Sequence, residues 1–167
     1  QYEQLEAMAA PKDTPRFLFF PTISSHMPFR PTPPYQPDWA RVLGAQPFDA
    51  AEVRRAQAEQ PNWLNMFPDF LRMVAYTYQW LGAYLRQPSP REAIYLLIGD
   101  HQPAANITGE AASWDVPVHI VSSDGELLDR FIAQGFQPGL EPPRQALGPL
   151  HTLTGMMLQA FSAVGHR

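Results

Sequence analysis

The stretch Ile94-Tyr95-Leu96-Leu97-Ile98-Gly99-Asp100-His101 decides how this chain is read. An unbroken apolar run rich in strand-forming residues and closed by a glycine predicts a buried β-strand over 94–98. Upstream, Ser89-Pro90-Arg91-Glu92 has the form of a capping box with proline at the first helical position. A helix begun there would have to run through the strand-forming residues, so a single turn feeding a strand reconciles the two signals. Within a strand, neighbouring side chains point to opposite faces, and Asp100 and His101 could not serve one site. Past the strand end, released by Gly99, the backbone can turn and bring the carboxylate and the imidazole onto one ion. That donor pair suits Zn²⁺ or Mn²⁺. A plain turn, with Asp100 bonded to nearby backbone amides, is the other reading of the same residues.

Working outward, Arg16-Phe-Leu-Phe-Phe20 is a second apolar run without helical period, and Val116 to Val121 a third; both predict strands. Residues 22–37 contain Pro28, Pro31, Pro33, Pro34 and Pro37, a density that excludes a helix or a central strand and predicts an extended loop. Short helices are expected over 38–43 and 49–59. A long one is expected over 69–86, where Phe70, Met73, Val74, Thr77, Leu81 and Tyr84 form an apolar stripe. Ser123-Asp-Gly-Glu126 reads as a capping box opening a helix that ends at Gln134, with Gly135 as its left-handed stop. Leu150, Leu153, Met156, Met157, Phe161 and Val164 predict a terminal amphipathic helix. Residues 1–15 read as a leader of weak helical character, and 16–167 as one domain.

Strands separated by helical patterns predict an α/β fold: a mostly parallel sheet with helices on both faces. Ligands of such sheets sit beyond the carboxyl ends of the strands. His26 follows the strand predicted at 16–20, so parallel strands would bring His26 and the Asp100–His101 pair to one edge. His119 falls inside a strand and is expected to be satisfied in the core. His151 and His166 are expected to be solvated or capping, and Glu110 and Asp115 follow the Asp-His pair closely enough to reach it. The three overlapping Pro-x-x-Pro spacings between Pro28 and Pro37 suit either an ordered rim loop or a polyproline ligand.

Composition excludes several classes. The chain has 167 residues with 45% apolar content, enough for a real core. A net charge of −4 with 12 basic residues argues against a nucleic-acid surface. Without cysteine there are no disulfides and no thiolate metal sites. No apolar run reaches the ~18–20 residues of a membrane span. Gln1 in place of Met predicts a processed or truncated product.

Three segments, in order, resemble the later part of sulfatase-like proteins of the alkaline phosphatase superfamily: Phe17-Leu-Phe-Phe-Pro-Thr-Ile-Ser-Ser-His-Met-Pro-Phe29, Ile94-Tyr-Leu-Leu-Ile-Gly-Asp-His-Gln-Pro103 and Val116-Pro-Val-His-Ile120. Those proteins include phosphoglycerol transferases of the lipoteichoic acid synthase type, phosphoethanolamine transferases and arylsulfatase relatives. The resemblance covers about residues 16–140, and its most specific element pairs Ser25-His26-Met-Pro-Phe29 with Gly99-Asp100-His101. It implies a three-layer α/β fold of which this chain is the C-terminal part. It implies that Asp100 and His101 ligate a catalytic divalent metal, Zn or Mn foremost, with Mg or Ca as the harder alternatives. It also implies that His26 faces the phosphate or sulfate of an ester substrate and steadies the transition state.

The chain departs from that pattern in two respects. The nucleophile of such proteins (a Thr, Ser or formylglycine) and their first carboxylate ligand belong to an N-terminal half that these residues do not supply. Gln102-Pro103 also stands where Gly-Glu often follows the motif. The resemblance therefore implies half of a hydrolase or transferase site, completed by the missing half. The parent enzyme would be membrane-tethered, facing the periplasm or cell exterior, with any membrane contact through a segment outside this chain. Self-association over an exposed sheet edge is a further expectation. The alternative is a non-catalytic binding or structural remnant of the same fold.

Overall fold

Capping residues and apolar spacing set most of the element boundaries. The computed structural model describes residues 14–88 and 92–162. The leader expected at 1–15 lies almost wholly outside them, as do Ser89 to Arg91 of the expected turn, and Val164 and His166. The chain divides into two compact units, 1–87 and 88–167.

In the first unit, α1 (Trp39–Val42) starts where the Asp38 side chain accepts from Ala40 N, and α2 (Ala50–Gln57) where Asp49 accepts from Ala51 N and Glu52 N. These are the ordinary N-cap bonds that short polar side chains supply to otherwise unpaired helix amides. The long α3 (Phe67–Leu85) begins with proline in its first turn. Met73, 2% exposed, is the centre of its buried stripe, and Phe29, Ala56 and Met66 complete the buried apolar set of this unit. An aromatic row runs along it: Phe20 stacks on Trp80 at 5.8 Å, Trp80 on Tyr84 at 5.7 Å, and Trp39 lies 5.9 Å from Tyr84.

The second unit opens with β1 (Ile94–Ile98) and β2 (Val118–Ser122), joined through the four-residue α4 (Ala105–Thr108). The strands pair antiparallel, with Leu96 opposite Ile120. Then come α5 (Gly125–Ala133), a 3₁₀ turn at Leu150–Thr152 and α6 (Leu153–Ser162). Asp124, not Ser123, caps α5, its side chain accepting from Leu127 N. Gly135 stops that helix at φ 102°, and Phe136 N donates back to Phe131 O. Leu127, Phe131 and Ala160 form the buried centre, with Ile120, Phe136, Met157 and Phe161 packed around them. Two further bonds tie α5 to α6: Arg130 donates to Ala160 O and Gln134 to Met156 O.

This corrects the expected fold class. The sheet of the described residues is a two-stranded antiparallel ribbon, not a mostly parallel sheet covered on both faces in three layers. The cause lies in the connection. A parallel return needs a crossover of a dozen or more residues, usually a helix that packs back on the sheet. Residues 99–117 hold only one helical turn at α4, so the chain doubles back. The strand expected at 16–20 is also absent. Those residues belong to no ladder, with Phe17 85% and Phe19 78% exposed.

Candidate functional site

Gly99 sets up the Asp-His pair. Its N–H donates to Pro117 O at 3.0 Å, one rung past the end of β1. A Cβ at this position would lie 3.1 Å from Pro117 Cδ and 3.2 Å from Val116 Cβ, so a larger residue would have to push both aside by a few tenths of an ångström. The backbone then turns. Asp100 Oδ1 accepts from His101 N at 2.9 Å, which directs the carboxylate towards the histidine. His101 Nδ1 lies 2.8 Å from Gln102 O. A carbonyl can only accept, so Nδ1 carries a proton, and in the neutral ring Nε2 is then the nitrogen with the lone pair. Nε2 lies 3.4 Å from Asp100 Oδ2. Two acceptors at that separation repel unless a proton or a cation sits between them.

The same 3.4 Å matches the edge of a tetrahedron whose corners lie about 2.1 Å from its centre, the usual zinc distance for nitrogen and carboxylate oxygen. The donor pair therefore fits a tetrahedral ion. The carboxylate is 87% and the imidazole 67% exposed, which leaves the remaining positions open to water or to another group. Gln102 Nε2 donates to Asp115 O at 2.6 Å and ties the outgoing loop to the approach of β2. Asp115 itself bonds Ser113 Oγ through Oδ2, and Glu110 is exposed. Among the described residues, no group of three or more His, Asp or Glu side chains is gathered at metal-binding distance, so neither acid joins the pair. His119 is half-buried opposite Leu97, on the ribbon face away from Ile120 and the helical core.

His26 lies in the first unit, in an exposed turn closed by His26 N to Ile23 O and Phe29 N to His26 O. The expected shared strand edge with Asp100 and His101 falls away, because among the described residues no strand precedes His26. Its Nδ1 lies 2.7 Å from Met27 O, the arrangement seen at His101, so again Nε2 is the free nitrogen. Both histidines begin a His-x-Pro sequence, His26-Met-Pro28 and His101-Gln-Pro103.

The chain matches no family model, no curated protein and no solved structure. Among the described residues no helix is long and apolar enough to cross a membrane.

Sequence reasoning missed the polar cluster beside the His26 turn. Arg30 bonds Asp69 Oδ1 through Nη2 at 2.7 Å and Glu59 Oε2 through Nη1 at 2.9 Å. Glu59 also accepts from Thr32 N. Asp69 is 4% exposed, and Arg72 lies 3.4 Å from it. The Arg30 hydrogen bond holds the Asp69 carboxyl below its ordinary value despite burial, and the same bond raises Arg30. One signal was available. Asp69 stands four residues before Met73, on the apolar stripe of α3, where a carboxylate needs a partner. Next to Arg30, Phe29 is buried with φ 63°, a left-handed backbone that a bulky residue keeps only when its surroundings hold it.

Proposed function

We propose that Asp100 and His101 ligate the metal of a metal-dependent phosphoester or sulfoester hydrolase or transferase, and that His26, in the first unit, faces an anionic ester group. The observation that carries the reading is the 3.4 Å edge between Asp100 Oδ2 and His101 Nε2, the nitrogen that holds the lone pair in a neutral ring bonded to Gln102 O through Nδ1. A bound divalent ion would supply Lewis acidity to an ester oxygen and lower the pKa of a coordinated hydroxyl. Asp100 Oδ1 remains bonded to the backbone, so that carboxylate has one oxygen for structure and one for ligation. His26, with Nδ1–H on Met27 O and a second proton on Nε2, would donate from Nε2 to the phosphate or sulfate as negative charge develops there, a type of contact commonly worth about 3 kcal/mol. The resemblance to sulfatase-like proteins supports these roles, together with a missing N-terminal half that brings the nucleophile. It also supports attachment of the parent enzyme to a membrane, facing the periplasm or cell exterior.

One observation favours the rival, non-catalytic reading. The bond from His101 N to Asp100 Oδ1 also closes a simple polar turn, which needs no metal. Titration of the whole chain with Zn²⁺ and Mn²⁺, followed by calorimetry and by the imidazole ¹⁵N shifts, separates the two. The expected result is weak, saturable binding that perturbs His101 Nε2 and falls at least tenfold (about 1.4 kcal/mol) in both Asp100→Ala and His101→Ala. Tight binding that survives both substitutions, or no effect on His101 at all, would overturn the proposal.

A further inference from the structure

The turn that carries His26 is fastened to one face of α3 on both sides of the histidine. Before it, Ser24 Oγ and Thr77 Oγ1 lie 2.7 Å apart. The Thr77 hydroxyl donates to Met73 O, so Ser24 is the donor in that pair. After it, the Phe29 ring packs edge-on against Phe70 at 5.4 Å, and Arg30 reaches Asp69. Asp69, Phe70, Met73 and Thr77 fall within about 100° of helix arc, since successive residues turn by about 100°. The two fastenings therefore share a single rigid support, and His26 stands exposed between them.

What they hold is a carbonyl. The His26 Nδ1 bond to Met27 O needs a defined backbone at both residues, and an unfastened turn would exchange it for water. Free imidazole side chains favour the proton on Nε2, so the tautomer in this turn is imposed by its surroundings.

We propose that Thr77 and Arg30, the latter through Asp69, are positioning residues that keep the 24–30 turn in the form where His26 Nδ1–H is held by Met27 O, so that the ring, once it also carries a proton on Nε2, presents that N–H to an anionic ester group. The inference rests on the substrate-facing role given to His26 above. Neither residue touches the substrate; each acts on the histidine through the backbone of its turn.

The test is the tautomer of His26 in the whole chain, read by long-range ¹H–¹⁵N spectra about two pH units above the usual histidine value of about 6.5. The wild type should show Nδ1–H in excess. Thr77→Val, which keeps shape and removes the hydroxyl, should shift the ratio at least threefold towards Nε2–H. Arg30→Met should do the same, and Arg30→Lys should restore most of the wild-type ratio. An unchanged ratio in Thr77→Val and Arg30→Met, with helical content retained, would refute the proposal, as would a wild-type histidine already protonated on Nε2. Titration with inorganic phosphate and sulfate separates the two claims. A tautomer that answers to both fastenings, with His26 Nε2 unmoved by either anion, upholds the positioning and overturns the substrate-facing role.

Discussion

At the scale of single residues, Gly99 sits where the two strands approach tightly beside the Asp-His pair. An added methyl would press on the Pro117 ring and the Val116 side chain, both of them stiff. Gly99→Ala should destabilise the second unit by about 1–3 kcal/mol, the usual cost of overpacking, and displace Asp100. Denaturation followed through the β1 amide signals measures it, and Pro117→Ala in the same chain should recover part of the loss. That Gly99 ends a strand was legible from its place after five apolar residues. That Pro117 presses on it was not, because the approach depends on the direction of β2. The tautomers of His26 and His101 were equally hidden. Each is set by the carbonyl of the next residue, and nothing in residue type or spacing reports where a carbonyl points.

Among the elements, reading worked where the determinants are local. The long helix expected over 69–86 is α3 at Phe67–Leu85, the strand over 94–98 is β1, though half-buried with exposed ends where a buried one was expected, and the segment at 116–121 is β2 at Val118–Ser122. The helix follows from the period of its apolar residues, the strands from runs of strand-forming ones. Strand direction is set by the length and packing of a connection, so the parallel sheet inferred from the alternation of patterns was wrong. The 16–20 run shows the complementary limit: strand-forming residues make a strand only when a partner supplies the ladder. The need of Asp69 for a partner was legible on the apolar stripe, but that the partner is Arg30 was not, because the two are 39 residues apart. Its pH dependence follows from the lowered Asp69 value. A carboxyl with a folded value below its unfolded one contributes stability above the ordinary value of about 3.9, and that stability is lost as the pH falls through the folded value. Asp69→Asn should therefore lower stability near neutral pH by about 2 kcal/mol and flatten the acid limb below about pH 4. Fluorescence of Trp39, Trp63 and Trp80, all in the first unit, follows this transition against pH.

On the scale of the whole molecule, the feature with most consequence for behaviour is apolar surface. Phe17, Phe19 and Ile23 are each more than three-quarters exposed, within seven consecutive residues. Contiguous apolar surface of this kind marks contact sites or association-prone segments. Sedimentation velocity should show a weight-average mass that rises with concentration, and Phe17→Ser with Phe19→Ser should return it towards the 18.8 kDa monomer. A mass that stays at the monomer value across the concentration range would count against association through this segment.

The rung at Gly99 also sorts the amides of β1 and β2 by lifetime. In an antiparallel pair the bonded rungs alternate, so Gly99 with Pro117 implies bonded rungs at Leu97 with His119 and at Tyr95 with Val121. The amides of Leu96 and Ile98 then point out across one edge of the ribbon, and those of Val118 and Ile120 across the other. Hydrogen exchange should alternate residue by residue along both strands, slow inside and fast outside. A third strand docking on the β1 edge would slow Leu96 and Ile98 alone, and one on the β2 edge Val118 and Ile120 alone. Four amide lifetimes thus tell whether the ribbon has been built into a wider sheet, and from which side.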